Sequence, residues 1–249
     1  MPTLTALGND GIVTNQDFSG GRGFWAGARD AATGTGASST ITRDSKSCII
    51  QTGTPNFANI IMSRSFFVFD CSGISSAVAS ATLKIYGHNT SSGQVIAIKA
   101  SAPNSNGSTA LSVADWDALP GFSAGASMNG NVTDYASAIT SGWSTSGYND
   151  FTLNSDALSD LENNSVIQIA IVNYNFDYLN NAPSPSGVTV ANGMYFSDYV
   201  GTSTDPIIDY TLATSAGIAK LNDVAVANIG DFNDIAKANI AKINDIDMT

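Results

Sequence analysis

The residues able to do chemistry are few. One histidine, His88, and two cysteines, Cys48 and Cys71, stand beside 21 Asp and Glu and 10 Lys and Arg. Acid-base or nucleophilic catalysis needs a convergent set of titratable groups. A Ser-His-Asp triad would have to centre on His88, which follows residues 81–87 and leads into Asn89-Thr90-Ser91-Ser92-Gly93, as a surface residue at a hairpin end does. Paired carboxylates hydrolyse glycosides, and Asp70, Asp115, Asp117, Asp156, Asp160, Asp198 and Asp209 are available, but spacing selects no pair among them. The cysteines lie in or beside apolar stretches, Cys48-Ile49-Ile50 and Phe67-Val68-Phe69-Asp70-Cys71, and read as buried free thiols, with a bridge between them as the alternative. No metal-ligand spacing and no EF-hand-like run is present. The sequence assigns no catalytic residue, no cofactor and no metal ligand, and a non-enzymatic protein is expected.

Binding chemistry is better represented. Carbohydrate recognition combines an exposed ring with neighbouring amides and carboxylates. Trp116 lies between Asp115 and Asp117, and Tyr174-Asn175-Phe176-Asp177-Tyr178 alternates aromatics with Asn and Asp before Asn180-Asn181-Ala182-Pro183. Trp116, Tyr174 and Tyr178 are therefore the candidate glycan-binding residues. The competing reading is that such large rings belong to the core.

Net charge is -11 with a pI near 4.1, a surface that repels phosphate backbones and argues against nucleic-acid binding. Charged residues make up only 12% of the chain, so Ser, Thr, Asn and Gly must supply the polar surface. That mixture favours strands and turns over helices. It also suits a surface that packs against copies of itself or other proteins. No apolar run approaches the length of a membrane span. Met1-Pro2-Thr3-Leu4-Thr5 lacks the basic and apolar regions of a secretory signal, so an extracellular role implies release with a particle.

The elements that must position these residues are short β-branched and aromatic runs separated by Gly, Ser, Asn and Pro clusters. Strands are expected at Ile60 to Phe69, Ala81 to Gly87, Gln94 to Ala100, Tyr148 to Leu153, Val166 to Tyr174, Val188 to Phe196 and Pro206 to Leu212. Alternation puts Leu83 and Ile85 on one face of their strand and Ile167, Ile169 and Ile171 on one face of theirs. Ser155 to Glu162 fits a short amphipathic helix capped by Ser or Asp, and Ala110 to Ala118 a further turn. Residues 31–39, 101–107 and 141–147 read as surface loops. The expected fold is an all-β, antiparallel sandwich over residues 1–213, with 1–58 as an extension of it.

After Leu212 the pattern changes to an 11-residue repeat, with copies beginning at Ile218, Ile229 and Ile240. Its apolar positions are Ile218, Leu221 and Val224, then Ile229, Phe232 and Ile235, then Ile240, Ile243 and Ile246, each copy carrying Asn-Asp between the second and third. A helix would align all nine on one slowly drifting stripe. Asn-Asp competes for backbone hydrogen bonds, so short helical turns broken at each pair are the alternative. Three copies are too few to bury their apolar faces alone, which makes residues 214–249 a docking or oligomerisation segment with those nine side chains as its docking residues.

Arg64-Ser65-Phe66-Phe67-Val68-Phe69-Asp70, then Ala81-Thr82-Leu83-Lys84-Ile85-Tyr86, resembles the opening of the DNRLRE-type β-sandwich domains. Gly142-Trp143 before Tyr148, and the closing Tyr195-Phe196-Ser197-Asp198 with Asp205-Pro206-Ile207-Ile208-Asp209-Tyr210, extend the likeness over about residues 60–212. The resemblance implies a jelly-roll-like sandwich with an adhesive or structural role and no catalytic residue. The C-terminal copies are similar to the Ile-x-Lys-Ile-Asn-Gly-Val-Ala-x-Ala-Asn repeats of tailed-phage virion proteins, with Asp223, Asp234 and Asp245 where Gly is common. Together these imply a bacteriophage virion structural protein (head decoration, fibre or tail-associated) on the particle surface, made in the host cytoplasm. Its expected partners are other virion proteins and further copies of itself. The alternative is a carbohydrate-binding module for cell-surface polysaccharide.

Overall fold

The computed structural model describes residues 1–17, 25–52, 59–103, 110–184 and 187–213, and the backbone of six residue pairs between 220 and 247. Two units are present, Met1–Thr211 and Leu212–Thr249.

The first unit is an antiparallel sandwich. Its strands are β1 (Thr3–Thr5), β2 (Gly11–Asp17), β3 (Gly36–Ser38), β4 (Arg43–Thr52), β5 (Ile60–Asp70), β6 (Val78–Ser91), β7 (Val95–Lys99), β8 (Tyr148–Thr152), β9 (Val166–Asn173), β10 (Val188–Tyr195) and β11 (Ile207–Leu212). One sheet joins β1, β11, β6 and β8; the other joins β6, β10, β4, β5, β9 and β7, with β2 and β3 added through β5. Strand β6 belongs to both. Thr82 to Tyr86 pair with β8, and beyond Gly87 the strand pairs with β10 through an irregular register. Strands that change sheets at a bend are how sandwiches turn their corners. A Cβ on Gly87 would lie 1.8 Å from the Ser144 carbonyl oxygen, so only glycine fits there.

All seven expected strands are present within a few residues of their bounds. The sequence reading missed β1, β2, β3 and β4, and β3 lies inside residues 31–39, expected as loop. Strand β5 explains the depth of the core. It bonds β2 along Ile60 to Phe66, β4 along Ile60 to Met62 and β9 along Ser65 to Asp70. Phe67 and Phe69 enter the core between the sheets, with Leu83, Ile85, Ile167, Ile169 and Ile171. On the opposite face Ile60, Met62 and Phe66 enter a second core with Ile98, Ala170, Trp116 and Tyr178. A third layer covers that face: α1 (Trp25–Arg29), the 3-10 turn Val113–Asp117, residues 118–138 and the π-helical turn Tyr174–Tyr178. A strand covered on both sides reads as a near-continuous apolar run, as β5 does on either side of Ser63-Arg64-Ser65, three buried polar residues.

Helix α2 (Ser155–Asn163) sits where expected, but its cap is Asn154, whose side chain accepts from the Asp156 and Ala157 amides at 3.1 and 3.2 Å. Cys48 and Cys71 are buried free thiols. Burial raises both, Cys71 to about 11, so neither is a ready nucleophile. Among the described residues no helix is long and apolar enough to cross a membrane.

In the C-terminal unit the described residues are strand. Its described residues form three two-residue antiparallel ladders: β12 (Lys220–Leu221) with β13 (Val224–Ala225), β14 (Asp231–Phe232) with β15 (Ile235–Ala236), and β16 (Lys242–Ile243) with β17 (Ile246–Asp247). In the backbone register Leu221 pairs with Val224, Phe232 with Ile235 and Ile243 with Ile246. Only Asn-Asp separates the partners, the spacing of the tightest hairpins, which β-branched flanks favour over helix. Ile218, Ile229 and Ile240 lie outside the described residues.

Candidate functional site

Of the carboxylates available for a catalytic pair, Asp70, Asp115 and Asp160 are committed to bonds within the fold. Asp70 accepts from the Ser72 amide and hydroxyl at 2.9 and 2.6 Å, and Asp115 closes a capping box with Ser112. Asp160 takes the Lys99 ammonium at 2.8 Å and the Tyr135 hydroxyl. Burial alone would raise the Asp160 carboxyl, but these bonds outweigh it and hold it below the usual range. Burial and the same carboxylate push the Tyr135 phenol up and keep it protonated. Among the described residues no group of three or more His, Cys, Asp and Glu is placed to hold a metal. One motif escaped the sequence reading: Gly121-Phe122-Ser123-Ala124-Gly125 has the Gly-x-Ser-x-Gly form. It sits in irregular structure and lacks the strand before and helix after that an activated serine elbow requires. His88 lies instead on β6, its ring edge-on to Tyr195 at 5.3 Å.

The candidate glycan residues divide. Trp116 is fully buried, its indole donating to the Arg29 carbonyl at 3.2 Å, and cannot offer a ring to solvent. Its flanking carboxylates suggested exposure, but Asp115 is spent on the turn's cap. Tyr174 and Tyr178 do come together. The π-helical turn closes with the Leu179 amide on the Tyr174 carbonyl at 3.0 Å, and Asn173 caps it through the Phe176 amide at 2.9 Å. The two rings stack with centroids 5.5 Å apart and planes 20° apart. Tyr174 is half-buried and Tyr178 almost wholly so. Both line a groove of about 420 Å³ with Asn129, Asp134, Ser137 and Thr152. The Tyr178 hydroxyl donates to Asp134 Oδ2 at 2.7 Å; burial and that bond raise its phenol.

A second aromatic surface had no sequence signal beyond scattered tyrosines. Tyr86, Tyr148, Tyr195 and Tyr199 are half-buried and meet edge to face, with centroids 5.2 Å apart for Tyr86 and Tyr148, 5.5 Å for Tyr86 and Tyr195 and 4.6 Å for Tyr195 and Tyr199. Strand pairing sets Tyr86 opposite Tyr148. Their hydroxyls are tied to loop carbonyls, Tyr86 to Ser146 at 2.7 Å and Tyr148 to Asp205 at 3.1 Å. Exposed Arg43 lies over Tyr195 and Tyr199 at 5.7 and 5.6 Å and donates to the Tyr195 hydroxyl; Lys84 lies over Tyr148 at 5.6 Å. Val200, next to Tyr199, is 92% exposed. Tyrosine, arginine and bare aliphatic surface together are the composition of protein interfaces.

The turn bearing Tyr199 is anchored by Asp10, which is fully buried and accepts from the Ser197 hydroxyl at 2.7 Å and amide at 3.1 Å. Burial first, with Asp198 and Asp205 adding repulsion against the Ser197 bonds, raises the Asp10 carboxyl to about 7.

Beneath the sandwich lies a third charged cluster, also unforeseen. Arg64 on β5 grips Asp177 with two bonds of 2.8 Å and gives Nη1 to the Trp116 carbonyl at 2.5 Å. Its guanidinium lies 4.1 Å over Trp116 and 5.0 Å over Phe122. Arg29 of α1 donates to the Asp177 and Ala126 carbonyls at 2.8 and 2.9 Å and pairs with Asp30 at 2.5 Å. Both arginines are fully buried. With Asp30 and Asp177 the charges balance, and each guanidinium nitrogen of both arginines has a hydrogen-bond partner. This arrangement fastens the third layer to the sheet.

No protein-family model matches the chain, and no curated protein matches it.

Proposed function

We propose that the protein is a non-catalytic structural component of a bacteriophage particle, a head decoration, fibre or tail-associated protein whose sandwich is displayed and whose C-terminal unit docks on a neighbouring virion protein. The observation that carries this reading is the repeat, three copies in register that recur as three identical two-residue ladders in a unit of their own. Isolated ladders of that size have no core and are unstable in water, so they call for a surface to lie against. Deleting residues 214–249 tests it. The truncated sandwich is expected to fold, with its thermal midpoint retained, and to be missing from assembled particles; normal incorporation would overturn the proposal.

The groove beside Tyr174 favours a second reading, recognition of cell-surface polysaccharide by the displayed sandwich. It joins an aromatic pair, a carboxylate and small polar side chains in one concavity, the composition of small-ligand sites. The two readings are compatible.

A further inference from the structure

The groove's chemistry narrows what it would take. Its volume of about 420 Å³ falls within the range of small-ligand pockets, roughly 300–1,000 Å³. No Lys, Arg or His lines it, and Asp134 is its one carboxylate. An acidic ligand would meet that charge with nothing to compensate it. Asp134 Oδ2 is taken by Tyr178, whereas Oδ1 is screened from water and has no hydrogen-bond partner. A buried acceptor left unmade is costly, and a turn of the carboxylate that brings Oδ1 to the groove would let a ligand hydroxyl supply the donor. Asn129 lies 3.3 Å from the Tyr178 hydroxyl oxygen and brings to the groove an amide able to donate to, and accept from, a ligand hydroxyl. Ser137 and Thr152 contribute exposed hydroxyls. The stacked pair fixes the plane of Tyr174, a flat apolar wall whose orientation costs no further ordering on binding.

From this we infer that the groove binds a neutral hexopyranose unit of a polysaccharide, its hydroxyls directed at Asp134 and Asn129 and one face of the sugar against Tyr174. The tyrosine surface around Tyr195 carries Arg43 and Lys84, cations that the groove lacks, and is not this site. The inference rests on the recognition reading above.

The test is titration of the full chain with dextran, galactomannan and xyloglucan, each beside its carboxymethyl derivative, so that charge alone differs within a pair. At least one neutral polymer is expected to bind, and its carboxymethyl form to bind at least tenfold more weakly. Tyr174→Ala and Asp134→Asn are each expected to weaken binding tenfold or more, and Tyr195→Ala to leave it unchanged. Tyr178→Phe, which removes one hydroxyl and keeps the ring, guards against loss through misfolding and should cost only a few-fold. Binding that prefers the carboxymethyl polymers, or that falls with Tyr195→Ala and not with Tyr174→Ala, overturns the groove and leaves recognition standing. Absence of binding to all six polymers overturns both.

Discussion

Arginine meets aromatic rings in two places in this molecule, and the two meetings differ in nearly every physical respect. Arg64 is sealed between Trp116 and Phe122 with both Asp177 oxygens on its guanidinium; Arg43 lies over Tyr195 and Tyr199 at the surface and donates to one phenol. In the interior each charge must be answered by a fixed partner, because desolvation is not refunded by water. At the surface water answers most of the charge, and the side chain stays available to a partner. The same residue types thus build a fastening in one region and a contact surface in the other.

Breaking the fastening should produce the largest effect. Arg64→Ala removes the bonds to Asp177 and Trp116 and leaves a buried carboxylate with Arg29 as its main partner. Losing one member of a buried pair costs about 3–5 kcal/mol, which for a chain of this size lowers the melting midpoint by on the order of 10 °C. Chemical denaturation measures it. A loss below about 1 kcal/mol would show that the cluster is not what holds α1 and the π-helical turn to β5.

A smaller effect separates the two regions by pH. Asp10 roots the turn that carries Tyr199, and its folded carboxyl titrates at about 7, above the unfolded value near 3.8. Between those values the folded state holds a proton that the unfolded state has lost, so stability must fall as pH rises through the window. From pH 5 to pH 8 the decline attributable to Asp10 is about 1–3 kcal/mol. Asp10→Asn keeps an acceptor for the Ser197 hydroxyl and cannot ionise, so its stability should be flatter over the same range. Equal slopes for the two proteins in denaturation series at pH 5, 6, 7 and 8 would exclude Asp10 as the titrating group.

How much of this was legible in the sequence follows from the range over which each force acts. Strands with a local alternation, such as Ala81 to Tyr86 and Val166 to Ile171, announce themselves because one face meets the core. Strand β4 begins Arg43-Asp44-Ser45-Lys46, with no apolar period at all, and is held by long ladders to β10 that no local pattern reveals. Strand β2 carries Asn15, whose amide donates to the Ala28 carbonyl at 2.7 Å, so a polar residue serves where an apolar one would signal a strand. The repeat was visible as a period, but period does not distinguish a helix from hairpins when Asn-Asp breaks each copy. The aromatic pair Tyr174 and Tyr178 was legible because five consecutive residues carry it. Arg64 and Asp177 are 113 positions apart, and only the fold introduces them.

The mildest substitution gives the sharpest form of the comparison. Arg43→Lys keeps a cation over Tyr195 and Tyr199 and a donor within reach of the Tyr195 hydroxyl, and a flexible ammonium at the surface is hydrated whichever way it points. Its unfolding midpoint should not move. Arg64→Lys keeps the charge as well, but an ammonium has neither the planar fork that spans both Asp177 oxygens nor the flat face that stacks on Trp116, and it resists desolvation more strongly. It should lose most of what Arg64→Ala loses. The paired measurement asks whether burial, rather than residue type, makes one arginine indispensable. Equal midpoints for the two lysine variants would mean that geometry at Arg64 contributes no more than charge.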